Sequence, residues 1–114
     1  MPVHVLHSHT ASYASPIAVE QGDVLVLSGR TDLWDGHLWL WAMAANGSEG
    51  WVPDALVPDP RAGSRKARFD YSAEELSCSA GEVLTAHQKL NGWTWCSNDQ
   101  GDEGWVPNQN ISNK

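Results

Sequence analysis

Among the 114 residues, the side chains with most chemistry to offer are seven tryptophans, five histidines and two cysteines. His7 and His9 stand at i and i+2, with His4 just upstream. On a strand, that spacing puts two imidazoles on one face, as a metal site needs. No cysteine or carboxylate close in sequence completes the set, so no metal ligand is assigned. Cys78 and Cys96 lack CxxC spacing and read as free thiols packed in an apolar interior and kept reduced. A nucleophilic thiolate would need a His or Lys beside it. The scattered Ser, His and Asp residues form no GxSxG, HExxH or P-loop pattern. No catalytic residue and no cofactor are assigned, and the chain is expected not to be an enzyme. The tryptophans remain, and what a tryptophan offers is contact area.

Charge narrows the contact partner. The net charge is −7, which argues against nucleic acid, since phosphate contacts need clustered Lys and Arg. Residues 1–58 carry Arg30 against six carboxylates, and residues 67–114 carry three cations against seven. Between them, Asp59 to Lys66 holds Arg61, Arg65 and Lys66 against Asp59 alone. This reads as a basic linker between two acidic bodies, able to dock on an acidic loop of either one. The N-terminus lacks the charged and apolar regions of a secretory signal, and no apolar run approaches membrane-spanning length. A cytoplasmic, monomeric protein with no membrane partner is the expectation.

The tryptophans fall in a repeat. Trp39-Leu-Trp-Ala-Met-Ala-Ala-Asn-Gly-Ser-Glu-Gly-Trp-Val-Pro53 recurs 54 positions later as Trp93-Thr-Trp-Cys-Ser-Asn-Asp-Gln-Gly-Asp-Glu-Gly-Trp-Val-Pro107. Upstream, Gly22-Asp-Val-Leu25 pairs with Gly81-Glu-Val-Leu84 at an offset of 59, and Val5–Ala11 with Ala67–Ala73 at 62. The offsets imply insertions in the first copy, three residues before Gly22 and five before Trp39, both expected in loops.

The elements that position these side chains read as β throughout. Asp23–Leu27 and Glu82–Ala86 are short apolar strand runs. Trp39-Leu-Trp-Ala and Trp93-Thr-Trp-Cys alternate with period 2, putting tryptophans on one face and smaller residues on the other. Ala45–Ser48 and Asp99–Asp102 carry Asn or Gly where a hairpin turn needs positive φ. Pro53 and Pro107 end their strands, since proline cannot donate to a ladder. Cys78 and Cys96 take the places of Val19 and Ala42 in the first copy, consistent with core packing. The expectation is an all-β protein of two five-stranded barrels in tandem: 1–58 and 67–114, with 59–66 as the basic linker.

The second copy resembles an SH3 domain. Ala67-Arg-Phe-Asp-Tyr71 stands at the family's Ala-Leu-Tyr-Asp-Tyr run, and Glu74-Glu-Leu-Ser77 at its acidic RT-loop tip. Gly81-Glu82 matches the diverging turn, Gly92-Trp93 the tryptophan after the n-Src loop, and Gly104-Trp-Val-Pro107 the strand before a 3₁₀ turn. Together the copies resemble tandem SH3-like proteins of bacteria. The resemblance implies a non-catalytic protein- or peptide-binding module, an adaptor or scaffold. Such a module holds an extended, often proline-rich and basic segment in a shallow aromatic groove. A polyproline II ligand suits such a groove because it is preorganised. It assigns Phe69, Tyr71, Trp93, Trp105 and Pro107 as groove residues of the second copy, and Glu74 and Glu75 as its basic-residue site. Asn110 stands where the family has a second tyrosine. In the first copy the corresponding residues are His7, His9, Trp39, Pro53 and Leu56, with Pro16 in place of the key acid. This makes the second copy the expected binder. Trp51 and Trp105 suit packing as well as binding, and Trp39 suits a contact between modules. The alternative is a structural pair, with SH3-like modules packed on each other or on a larger subunit and no free groove.

Overall fold

The computed structural model describes residues 1–11, 16–34 and 36–112. They form eleven strands and two 3₁₀ turns, and no α-helix occurs among them. The chain divides into two compact units, a split unit of Met1–Ala14 with Glu74–Lys114 and a continuous unit of Ser15–Ala73.

The split unit is a five-stranded antiparallel sheet of β1 (Pro2–Val5), β8 (Val83–Leu90), β9 (Trp93–Ser97), β10 (Glu103–Pro107) and β11 (Ile111–Ser112), in the order β10-β9-β8-β1-β11. The continuous unit holds a four-stranded sheet, β5-β4-β3-β6, made from β3 (Val24–Trp34), β4 (His37–Ala44), β5 (Glu49–Pro53) and β6 (Gly63–Lys66). A small ladder of β2 (Ala18–Val19) and β7 (Tyr71–Ser72) completes it. Neither sheet closes its hydrogen bonds into a barrel. Pro107 cannot donate an N–H, and the 3₁₀ turn Asn108–Asn110 carries the chain away from β10 before β11 forms.

Each unit therefore draws on both repeats. The first copy's opening strand pairs with the second copy's central strand, through Val3↔Leu84 and His4↔Val83. The second copy's opening strand pairs with the first copy's central strand, through Leu25↔Arg65 and Val24↔Lys66. These registers are equivalent under the repeat offsets, as are Val19↔Tyr71 and His9↔Cys78. The chain leaves the split unit between Ala14 and Ser15 and re-enters it between Ala73 and Glu74. The continuous unit thus sits, in sequence, inside the first long loop of the split one, with its strands in circularly permuted order.

The segment expected to be a linker differs from that reading. Gly63–Lys66 is a strand edging the four-stranded sheet, and residues 57–62 connect two parts of one unit. Its two arginines are engaged within the segment itself. Arg61 Nη2 donates to Asp59 Oδ2 at 2.7 Å, and Arg65 Nε donates to the Asp59 carbonyl at 3.0 Å and Nη1 to the Ser64 carbonyl at 2.7 Å. The Arg61 hydrogen bonds hold the Asp59 carboxyl well below the ordinary carboxylate range. The cations are used within the turn because a nearby carboxylate and carbonyls cost less ordering than a distant surface.

The strand alternation follows the sequence. Leu25 and Leu27 are buried while Val24 and Val26 face out; Thr94 and Cys96 are buried while Trp93 and Trp95 are half-exposed. The expected turns form with Gly47 at φ 89° and Gly101 at φ 86°, closed by Ala44 N–H to the Ser48 carbonyl and Asn98 N–H to the Asp102 carbonyl. The five-residue insertion before Trp39 adds little loop. Part widens a bulge between Leu27 and Thr31, and the rest lengthens the β3–β4 ladder out to Trp34↔His37; Asp35 lies outside the described residues.

Val3, Val5, Leu76, Cys78, Leu84, Cys96 and Val106 form the split unit's core cluster. Both cysteines are free and buried. Burial pushes the Cys96 thiol up from 9.0 to about 11, with a smaller push from Cys78. A thiol whose folded value is raised favours the fold fully below its unfolded value and loses that contribution as pH climbs towards the folded one. The urea midpoint should therefore fall more between pH 9 and 11 in the native protein than in Cys96→Ala, which carries the first repeat's residue; equal pH profiles would contradict this.

The pairing itself is testable by cross-linking. Register partners have Cα atoms about 4.5–5.5 Å apart, within disulfide range. His4→Cys with Val83→Cys should oxidise to a monomeric disulfide, located by peptide mass mapping. His4→Cys with Val24→Cys, the pair a copy-by-copy fold would join, should stay reduced.

Candidate functional site

Both candidate grooves are composites, because the units recombine the repeats. In the split unit, His7 and His9 of the first copy join Glu74, Glu75, Trp93, Trp105, Pro107 and Asn110 of the second. In the continuous unit, Phe69 and Tyr71 of the second copy join Trp39, Pro53 and Leu56 of the first. The residue types expected to make one full and one depleted groove are redistributed between the two.

In the split unit, three predicted residues meet directly. His9 packs edge-on against Trp93, with ring centroids 5.7 Å apart and planes at 75°. Its Nε2 lies 2.8 Å from Glu75 Oε1. His9 is fixed by reciprocal backbone hydrogen bonds with Cys78 at 2.9 and 2.8 Å. The Ala11 N–H donates to Ser77 Oγ at 3.0 Å, tying the same two segments together. The result is an aromatic–imidazole–carboxylate surface in which both side chains of the His9–Glu75 pair are largely shielded, at 14% and 11% exposure. His7 lies exposed two residues before it.

Asn110 is a clasp rather than a pocket wall. Its Nδ2 donates to the carbonyls of His7 and Ser8 at 3.0 and 3.2 Å, and its backbone carbonyl accepts from the Leu6 N–H at 2.7 Å. A short amide at this position anchors the exchanged strand. Trp105 is 7% exposed and Pro107 is buried, so they support the surface more than they form it.

Glu74–Leu76 owe their position to Gly104. A Cβ at Gly104 would lie 2.6 Å from the Leu76 nitrogen and 2.7 Å from the Glu75 carbonyl carbon. The close approach lets Leu76 N–H bond the Trp105 carbonyl and Trp105 N–H bond the Glu74 carbonyl, at 3.1 and 2.9 Å. At the equivalent Gly50, a Cβ meets the Ile17 Cγ2 at 3.0 Å, a side chain rather than backbone.

In the continuous unit, Leu56 and Pro53 belong to the fully buried interior and do not line a groove. Tyr71 is 7% exposed and Phe69 half-buried. Trp39 is half-buried, and its indole Nε1 is enclosed with no hydrogen-bond partner among the described residues, a costly state for an N–H donor. Sequence reasoning missed Arg30 here. Its guanidinium lies 4.9 Å from the ring centroid of Trp41 and 5.4 Å from that of Trp51. The signal was present: Arg30 is the one cation of residues 1–58.

Among the described residues, no group of three or more His, Cys, Asp or Glu side chains is arranged to hold a metal ion. None of the helical segments is long and apolar enough to cross a membrane. A family model described as a variant SH3 domain matches residues 2–58 and again residues 65–113. No curated protein and no solved structure matches the chain.

Gly104→Ala drives a methyl into backbone at 2.6 Å, whereas Gly50→Ala meets a side-chain methyl at 3.0 Å. The first should cost about 3 kcal/mol in urea unfolding and the second less than half of that; similar losses would refute the assigned role of Gly104.

Proposed function

The chain belongs to the SH3 family, and from that premise we propose that it binds an extended polypeptide segment through the composite surface of the split unit. SH3 domains are protein-interaction modules, which sets the class of activity. The observation that carries the finer reading is the meeting of His9, Trp93 and Glu75. A flat indole backed by an imidazole offers a wall for a proline or other ridged apolar group. Glu74, exposed beside the His9-bound Glu75, offers a carboxylate to a Lys or Arg of the same segment. The ligand is thus an extended, basic, proline-containing peptide, and the protein acts as an adaptor or scaffold rather than as a catalyst. The acidic net charge of −7 favours such a partner and speeds its encounter.

The continuous unit is the weaker binder on this reading. Leu56 and Pro53, the residues expected to line its groove, are interior. Trp39 is half-buried with its indole N–H enclosed, so it offers a ligand only part of its ring.

A peptide-array screen with the full chain, followed by titration of the strongest basic, proline-containing hit, tests this. Trp93→Ala should raise Kd about tenfold or more, since truncating a central aromatic anchor costs about 2 kcal/mol. His9→Ala should weaken the same ligand, because the surface spans both repeats, and Trp39→Ala should leave it unchanged. If neither Trp93→Ala nor His9→Ala alters any bound ligand, the role of the pair is structural.

A further inference from the structure

Alternation along a strand puts every second side chain on the outer face of its sheet, and the two units treat that face differently. In the continuous unit, Val24 and Val26 on β3 and Met43 on β4 point outward at 48%, 43% and 41% exposure. Val26 is the direct cross-strand partner of Met43, so the three side chains make one patch. Seven large apolar side chains are exposed among the described residues, and three of them share this face. Single exposed apolar residues are ordinary, whereas a cluster marks a contact.

The split unit shows that the scaffold does not require the cluster. Across the continuous unit's sheet one row reads Ser64, Val26, Met43, Glu49. The equivalent row of the split unit reads Pro2, Thr85, Ser97, Glu103. Thr85 pairs with Ser97 in the register that joins Val26 to Met43. Ser97 Oγ lies 2.8 Å from His87 Nε2, so the split unit's face carries a polar pair where its twin carries a valine and a thioether.

The borders of the patch say what covers it. Glu49 stands on β5 at one edge, opposite Met43, and Lys66 stands on β6 at the other edge, opposite Val24. Both are exposed. Glu49 Oε1 accepts a hydrogen bond from Trp41 Nε1 at 3.1 Å, which holds the carboxylate at its edge. Arg30, lying over Trp41 and Trp51, ends the apolar stripe on the side away from the Ala45–Ser48 turn. A partner of one charge sign would match one edge and oppose the other. A second copy, turned over about an axis running along the strands between β3 and β4, matches both. The Glu49 edge of each chain then lies over the Lys66 edge of the other, and Val26 lies over Met43.

We propose that this face is a self-association surface, on which two chains pair sheet to sheet through Val24, Val26 and Met43, with Glu49 and Lys66 as reciprocal ion pairs. Stacked sheets lie about 10 Å apart, a gap that methionine against valine fills. A two-fold contact of this kind closes on itself, giving a dimer and no larger assembly. The small patch and the net charge of −7 on each copy make the dimer weak, and the monomer expected from the sequence is its dilute form. His9, Glu75 and Trp93 belong to the other unit and take no part, so the contact stands whether or not the surface around Trp93 binds peptide.

The test is sedimentation equilibrium of the full chain at about 150 mM salt, where charges more than about 8 Å apart are largely screened. The mass should rise from that of one chain toward that of two between about 5 μM and about 1 mM, with Kd on the order of 100 μM. Val26→Thr with Met43→Ser gives the face the residues of its twin; this variant should still unfold cooperatively in urea and should remain monomeric throughout. Glu49→Lys and Lys66→Glu should each weaken self-association about tenfold, since each opposes two like charges across the contact. An equimolar mixture of those two variants should recover a mixed dimer by native mass spectrometry, because each supplies the charge that the other lacks. A single-chain mass at about 1 mM, ten times the expected Kd, would leave the face to a different protein and overturn the proposal. So would association that survives the Val26→Thr, Met43→Ser change, or charge variants that fail to recombine.

Discussion

A central strand of a small sheet has two hydrogen-bonding sides, and the second side of β3 and of β8 is filled by a strand from the opposite repeat. Everything else in the molecule follows from that exchange. An unpaired strand edge leaves backbone donors and acceptors without partners and invites association with other chains. Here β1 covers β8 and β6 covers β3 in equivalent registers, so the two solutions to the edge problem are the same solution used twice. The cost falls on connectivity, not on pairing: residues 57–62 must close one unit on itself. The Asp59–Arg61–Arg65 turn does this with local charge and backbone hydrogen bonds.

Much of the architecture was legible in the sequence. The period-2 alternation of Trp93-Thr-Trp-Cys, the glycines at the hairpin turns and the strand-ending prolines each act over a few residues, and each appears where expected. The exchange was not legible. The opening strand of one copy is chemically as good a neighbour for either central strand, since edge pairing is made by backbone groups that every residue carries. Periodicity says that a strand pairs, but not with which of two equivalent partners. Gly63–Lys66 was hidden for a related reason. An edge strand of Gly, Ser, Arg and Lys has the composition of a linker, and polar edges are how sheets avoid aggregation.

The candidate surface was legible as a list of residues and not as an arrangement. His9 and Trp93 were assigned to different grooves because they lie in different copies, and folding brings them within 5.7 Å. Asn110 looked like a missing wall, and instead it holds the backbone of the strand that carries His7 and His9. The doubled Gly-Trp-Val-Pro motif likewise has two reasons behind one spelling. At Gly104 the side-chain-free backbone admits another backbone, while at Gly50 it admits the side chain of Ile17.

The nesting of the continuous unit within the split one also imposes an order in time. Residues leave the ribosome from the first onward, so the strand Pro2–Val5 emerges long before its neighbours Val83–Thr85 and Ile111–Ser112 exist. The continuous unit has all its parts once Ala73 has emerged. For that interval the first strand waits, and the one central strand within its reach is β3, the strand that β6 must later cover. Synthesis thus stages a competition between a local partner that arrives early and the correct partner that arrives late. The outcome depends on how readily the early pairing dissolves, and the polar and proline content of Met1-Pro-Val-His, which weakens any ladder it enters, works in favour of release.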